Sequence, residues 1–152
     1  MDNQLVVFEL GGEFFGVPIS TVESIIKMQA ITRLPHTPAF VEGLTNLRGK
    51  VMPVVDLRKR FGMPPGGNEK ERRIVVVSIA GTETGMIVDA VSEVLTVMAD
   101  SIEATPAIVT CIDTAFITGI AKIDDKLVIL LDLEKVLSKK EVDELKKVPE
   151  VV

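Results

Sequence analysis

A chain of 152 residues is one ordinary domain's worth and buries roughly 70% of the surface it would expose unfolded, so no disulfide or metal staple is required. The single cysteine, Cys111, forms no internal disulfide, the start lacks a basic n-region and a cleavage site, and every apolar stretch is interrupted before the about 18 residues of a membrane span, so a cytoplasmic protein without direct membrane insertion is expected. Net charge of −5 and only 4% aromatic residues exclude the basic footprint and stacking platforms of nucleic-acid binders.

Mean hydropathy of +0.36 places much apolar surface in a core or an interface. Val and Ile supply 36 of 152 residues, side chains that fit a pleated surface, so the chain is expected to be mainly β. In chain order the first strands fall at 5–10 and 13–17, with Gly12 between them. Ser20-Thr-Val-Glu23 then reads as a capping box that opens a short helix with Val22, Ile25 and Ile26 on one face. Strands follow at 29–34, 41–47 and 51–55, and Asp56 caps a short helical stretch. The loop 62–71, rich in Pro, Gly and charge, separates this series from a second one. There Asp89 is placed to cap a turn equivalent to that at Ser20, and Asp132 to cap a stretch equivalent to that at Asp56. A C-terminal helix at 138–147 opens on a second capping box, Ser138 and Glu141, with Val142 and Leu145 inward.

The second series repeats the first. Residues 5–26 set on 74–95, an offset of 69, match Val6, Val7, Gly12, Gly16 and Val22 with Val75, Val76, Gly81, Gly85 and Val91. Residues 40–61 set on 116–137, an offset of 76, match Phe40, Gly43, Lys50, Asp56, Leu57 and Lys59 with Phe116, Gly119, Lys126, Asp132, Leu133 and Lys135. The difference between the offsets is the longer connection at 96–115. Two copies of one supersecondary unit are expected, subdomain 1 at about 5–61 and subdomain 2 at about 72–137, each a small five-stranded barrel. About 60 residues bury too little apolar surface alone, so the halves share a core or pack face to face.

The inventory of reactive groups is short. His36 is the only histidine and sits in the stiff turn Pro35-His-Thr-Pro38. One His and one Cys cannot assemble a zinc site of three or four such ligands, and no phosphate-cradling glycine motif occurs, so no cofactor is expected. Cys111 lies in an apolar stretch and reads as an inert small hydrophobe. The face Val22, Ile25 and Ile26 serves either as ordinary core or as a groove for a partner helix. Arg48 is either a solvated hairpin tip or functional. Its repeat counterpart is Asp124, so the hairpin does not demand an arginine there.

The run Val41-Glu-Gly-Leu-Thr-Asn-Leu-Arg-Gly49 followed by Val51-Met-Pro-Val-Val-Asp-Leu57, with Phe15-Gly-Val-Pro-Ile19 before and Gly85-Met-Ile-Val-Asp-Ala-Val91 after, resembles the CheW family of bacterial chemotaxis coupling proteins over about 5–145. The resemblance implies two pseudo-symmetric SH3-like five-stranded barrels in a single CheW-like domain over 1–152, and a non-enzymatic adaptor. Its partners would be the cytoplasmic tip of methyl-accepting chemotaxis receptors and the regulatory domain of the chemotaxis histidine kinase. The implied receptor-binding residues are Val6, Ile19, Val22, Ile25, Arg48 and Val91; the implied kinase-binding residues are Ile31, Leu34, Gly43 and Ile108. At Ser24 some members carry a carboxylate. Two other classes remain open on the residues: a small-ligand-binding barrel, and a carboxylate-dependent hydrolase built on Asp56 and Asp132.

Overall fold

The computed structural model describes residues 2–35, 40–64, 66–79, 81–98, 102–103, 117–123 and 125–133. His36, Ile108, Cys111, Asp124 and the expected helix 138–147 lie outside them. The elements in order are β1 (Asp2–Leu10), β2 (Glu13–Pro18), a 3₁₀ turn (Ile19–Thr21), β3 (Val22–Lys27), β4 (Val41–Leu47), β5 (Lys50–Asp56), α1 (Leu57–Arg60), β6 (Arg73–Ile79), β7 (Thr82–Val88), β8 (Ala90–Met98), β9 (Ile102–Glu103), β10 (Ile117–Ile123) and β11 (Lys126–Leu131).

These strands form two sheets, ordered β8-β1-β2-β11-β10-β9 and β3-β6-β7-β5-β4. Under the sequence offsets β1, β2, β3, β4 and β5 map onto β6, β7, β8, β10 and β11, and the second order maps exchange for exchange onto the first five strands of the other. The registers follow the same map. Val6 pairs with Val17, and Val75 with Met86; Leu130 pairs in parallel with Gly16, and Val54 with Gly85. Even the bulges repeat, between Val7 and Phe8 against β8 and between Val22 and Ser24 against β6.

The sheets do not follow the divide at 62–71. Hairpin β1–β2 of the first half joins β8–β11 of the second, and hairpin β6–β7 of the second joins β3–β5 of the first. Each sheet is thus built from both halves, an exchange that a linear reading of the repeat does not contain.

The exchange leaves the central strands buried on both faces, which accounts for the abundance of Val and Ile. Leu5, Val7, Val97, Ala121, Val128 and Leu130 form one cluster on the first sheet, and Met52, Val54, Ile74, Val76 and Ile87 form another on the second. Between the sheets lies a third cluster, containing Val6, Phe8, Leu10, Phe15 and Val17 from one sheet and Val75, Val77, Ile79, Met86 and Val88 from the other. Phe15 stacks between Phe8 and Phe61, with ring centroids 6.0 and 5.8 Å away. The repeated glycines Gly16 and Gly85 let side chains of neighbouring strands pack directly over the backbone: a β-carbon at Gly85 would lie 2.7 Å from Cγ2 of Ile74, and one at Gly16 would lie 3.0 Å from Cγ1 of Val128.

Two expected elements differ. The capping box at Ser20 does not cap a helix; a 3₁₀ turn without a side-chain cap leads directly into strand β3. The β-branched run Val22, Ile25, Ile26 finds a free edge at β6, and pairing there satisfies more backbone groups than one isolated helical turn could. The expected strand 29–34 contracts to one bridge, Thr32 to Leu44. Side chains replace the rest of its ladder: Gln29 Nε2 donates to Thr45 Oγ1 and to the Asn46 carbonyl, and Thr45 Oγ1 donates to the Ala30 carbonyl.

Candidate functional site

β3 and β8 are repeat-related edge strands, one at the end of each sheet. Paired residues in a ladder point to the same face. Val22 pairs with Val77 and Ile25 with Val75, both members of the central cluster, because the bulge at Glu23 lets residues three apart share a face. On β8 the second bulge does the same: Val91 pairs with Phe8, and Val94 with Val6. Ile26 turns the other way, onto the cluster of its own sheet.

The result is a groove over the seam between the sheets, with exposed aliphatic side chains along its edges and charged residues in its lining. Val22 and Val91 are half-buried and packed on the central cluster, whereas Ile25 and Val94 are 40% and 51% exposed. Ile25 and Val91 line one concavity with Glu9, Ala90, Lys70, Glu71 and Arg73; Lys70 and Glu71 come from the connection between the repeats and Arg73 opens β6. Val6 belongs to the floor, not the lining: it is only 2% exposed and contributes to the central cluster. Ile19, 39% exposed, opens instead onto a neighbouring cleft with Gln4, Pro18, Ile102 and Leu133. Val94 was missed, although the offset of 69 from Ile25 points to it.

Arg48 stands at the tip of the β4–β5 hairpin, exposed, and makes no ion pair among the described residues. Arg48 and Gly49 take φ of 53 and 84°, the positive values of a type I′ turn, and Asn46 Oδ1 accepts from the Gly49 N–H at 2.9 Å. Ile31 and Leu34 are half-buried, Ile31 against the cluster of its own sheet. Gly43 is buried at φ 145°, and a β-carbon there would meet the Thr32 carbonyl oxygen at 2.1 Å, so its place in the segment is structural.

The carboxylates have structural uses. Asp56 caps α1, its Oδ1 accepting from the Arg58 N–H at 2.9 Å. Burial pushes its carboxyl above the ordinary value, against that bond. Asp89 caps no turn, correcting the expectation. It accepts from Arg58 Nε at 2.7 Å, from Arg58 Nη2 at 2.5 Å and from the Gly11 N–H at 2.9 Å. Burial works to raise its pKa, but the bonds from Arg58 and Gly11 together outweigh it and hold the carboxyl below its ordinary value. Among the described residues no three His, Cys, Asp or Glu side chains gather as metal ligands, and no helix is long and apolar enough to cross a membrane.

A duplicated β module with exchanged hairpins and a groove edged by aliphatic side chains between repeat-related strands defines a class of paired-barrel proteins. Residues 4–141 match the family model of the CheW-like domain, and the chain belongs to the CheW family. It is 37% identical over 140 residues to a probable chemotaxis protein CheW of Rhizobium etli, covering 92% of this chain and 90% of that one. It is 33% identical to the chemotaxis protein CheW of Klebsiella aerogenes, covering 91% and 84%. The crystal structure of the scaffolding protein TtCheW from Thermoanaerobacter tengcongensis superposes with a TM-score of 0.85 at 47% identity, over 93% of this chain and 91% of that one.

Proposed function

We propose that this chain is a non-enzymatic cytoplasmic adaptor that joins the helical tip of methyl-accepting chemotaxis receptors to the regulatory domain of the chemotaxis histidine kinase. The observation that carries the reading is the groove: repeat-related aliphatic pairs, Val22 with Ile25 and Val91 with Val94, flank one seam and leave apolar surface uncovered. An amphipathic helix fits such a surface, gaining about 25 cal/mol for each Å² of aliphatic area withdrawn from water. Family membership supports the choice of partner, and the relatives are named for chemotaxis. Arg48, exposed and without an ion pair among the described residues, is available to a receptor at the hairpin tip. Ile31 and Leu34 supply the kinase-facing surface of the β3–β5 sheet, with Gly43 holding that segment from behind. Ile108, proposed at a second kinase contact, belongs to the 96–115 connection.

The test is titration of the purified chain with a receptor-tip helical hairpin and, separately, with the kinase regulatory domain. Ile25→Glu, at an exposed position, leaves the fold intact and places a carboxylate under the seated helix. Micromolar receptor binding should be lost and kinase binding retained. Retained receptor binding, or equal loss of both partners, overturns the groove.

A further inference from the structure

The two halves obey the repeat almost everywhere, and the clearest break in it is charged. Arg58 and Asp89 form a bidentate pair with side chains only 14% and 15% exposed. The positions equivalent by the offsets are Glu134 and Ser20, so the second copy of this pair does not exist. What is specific to the first copy is the connection between the repeats, and the pair sits inside it.

Arg58 holds the start of that connection twice, its carbonyl accepting from the Met63 N–H at 2.8 Å and its Nη1 donating to the Pro64 carbonyl at 2.8 Å. A β-carbon on Gly66 would lie 3.1 Å from Arg58 Nη1, and one on Gly67 would lie 3.1 Å from Asp89 Oδ1, so the connection is wrapped closely around the pair. Beyond it the chain pins itself. Arg72 Nη2 donates to the Gly66 carbonyl at 2.7 Å, Asn68 Oδ1 accepts from the Lys70 N–H at 2.9 Å, and Arg73 Nη1 donates to the Lys70 carbonyl at 3.0 Å. This places Lys70 and Glu71 beside Ile25 and Val91 in the groove. On the opposite side Asp89, two residues before Val91, is fixed by its N–H to the Glu9 carbonyl at 2.9 Å and by its carboxylate to Gly11.

We propose that Arg58 and Asp89 are positioning residues that hold residues 62–64 and 66–72 of the connection in place as one wall of the groove, so that affinity for an amphipathic partner helix depends on an ion pair that the helix never touches. The proposal rests on the groove as the receptor site. A wall held in place before binding spares the ordering that a loose segment would pay for on association.

Two variants test it, Asp89→Asn, which removes the charge in place, and Gly67→Ala, which crowds the Asp89 carboxylate from an exposed loop whose φ of +92° also disfavours a side chain. Receptor-tip hairpin and kinase regulatory domain are titrated against each, and amide hydrogen exchange is followed over 66–72. Both variants should bind the hairpin about tenfold more weakly, bind the kinase domain unchanged, and exchange faster at Glu71 and Arg72. Faster exchange with unchanged hairpin affinity overturns the proposal, as does equal loss of both partners, which marks a merely structural pair. If Asp89→Asn fails to fold, Gly67→Ala decides alone. Loss of hairpin binding in Ile25→Glu but not in these variants sinks only the positioning role, whereas a wild-type chain that binds no hairpin sinks the groove and this proposal together.

Discussion

Gly43 and Thr32 approach so closely that no side chain can stand between them: a β-carbon on Gly43 would lie 2.1 Å from the Thr32 carbonyl oxygen and 2.7 Å from its carbon. The two backbones are joined at the next residue, Thr32 N–H to the Leu44 carbonyl at 2.7 Å and Leu44 N–H to the Thr32 carbonyl at 2.8 Å. The repeat reproduces the relationship, since a β-carbon on Gly119 would meet the Glu103 carbonyl oxygen at 2.9 Å. One glycine per half thus lets a short outer segment lie against the β4 or β10 edge.

Gly43→Ala should therefore act on structure. Replacement meets unyielding backbone at a positive φ, and we expect a loss of about 2 kcal/mol or more in chemical denaturation. Hydrogen exchange at 31–34 should rise with it. A melt within about 0.5 kcal/mol of the parent would show that the bridge carries little stability.

Arg48 bears the opposite expectation. Its φ of 53° is a conformation that costs an L-residue of the order of 1 kcal/mol, and Ala bears that cost as Arg does. Arg48→Ala should leave stability within about 0.5 kcal/mol, and Arg48→Gly should raise it by about 0.5 kcal/mol. Receptor control of kinase activity, read as phosphate incorporation in a reconstituted complex, should fall in both. Full control with either variant would remove Arg48 from the site.

Position within the groove should set the cost of a charge. Val94→Glu, at a half-exposed position, should melt close to the parent, whereas Val6→Glu puts a carboxylate into the central cluster and should prevent folding. Val22→Glu should fall between, because Val22 is packed on that cluster. Circular dichroism melts of the three rank them; any other order contradicts the placement of the strands.

Acid should reveal Asp89. Its folded pKa lies below the unfolded value, so between the two the unfolded chain binds more protons and stability rises with pH. The contribution is complete above the ordinary carboxylate range near about 4 and is lost as pH falls through the folded value. Asp56 works in the other direction: burial raises its pKa, so its ionisation as pH rises through the window between unfolded and folded values costs stability. Denaturation midpoints measured from neutral to acid pH should fall less steeply in Asp89→Asn than in the parent, and recover more steeply at low pH in the parent than in Asp56→Asn. Parallel curves for Asp89→Asn and the parent would show that the pair does not stabilise the fold.

Much of this was legible in the residues. The strands at 5–10, 13–17, 41–47 and 51–55, the cap at Asp56 and the internal repeat all rest on local chemistry: alternation of β-branched side chains, turn glycines and an oxygen able to accept from an exposed N–H. The repeat even carried register, because residues equivalent by sequence meet equivalent neighbours. The long run about Asn46-Leu-Arg-Gly49 carried the family.

Tertiary structure decided what depends on partners distant in the chain. The residues Val22, Ile25 and Ile26 suit a helical face and a bulged strand alike, and only the free edge of β6 selects the strand. The exchange of hairpins between halves leaves no local mark, since either half could pair with itself or with its copy; in the folded chain the exchanged arrangement buries the central strands on both faces. Arg58 and Asp89 are 31 residues apart and read singly as a helix residue and a cap. They become a pair because the fold brings the end of one repeat against the β7–β8 junction of the other, where two partly buried charges need each other.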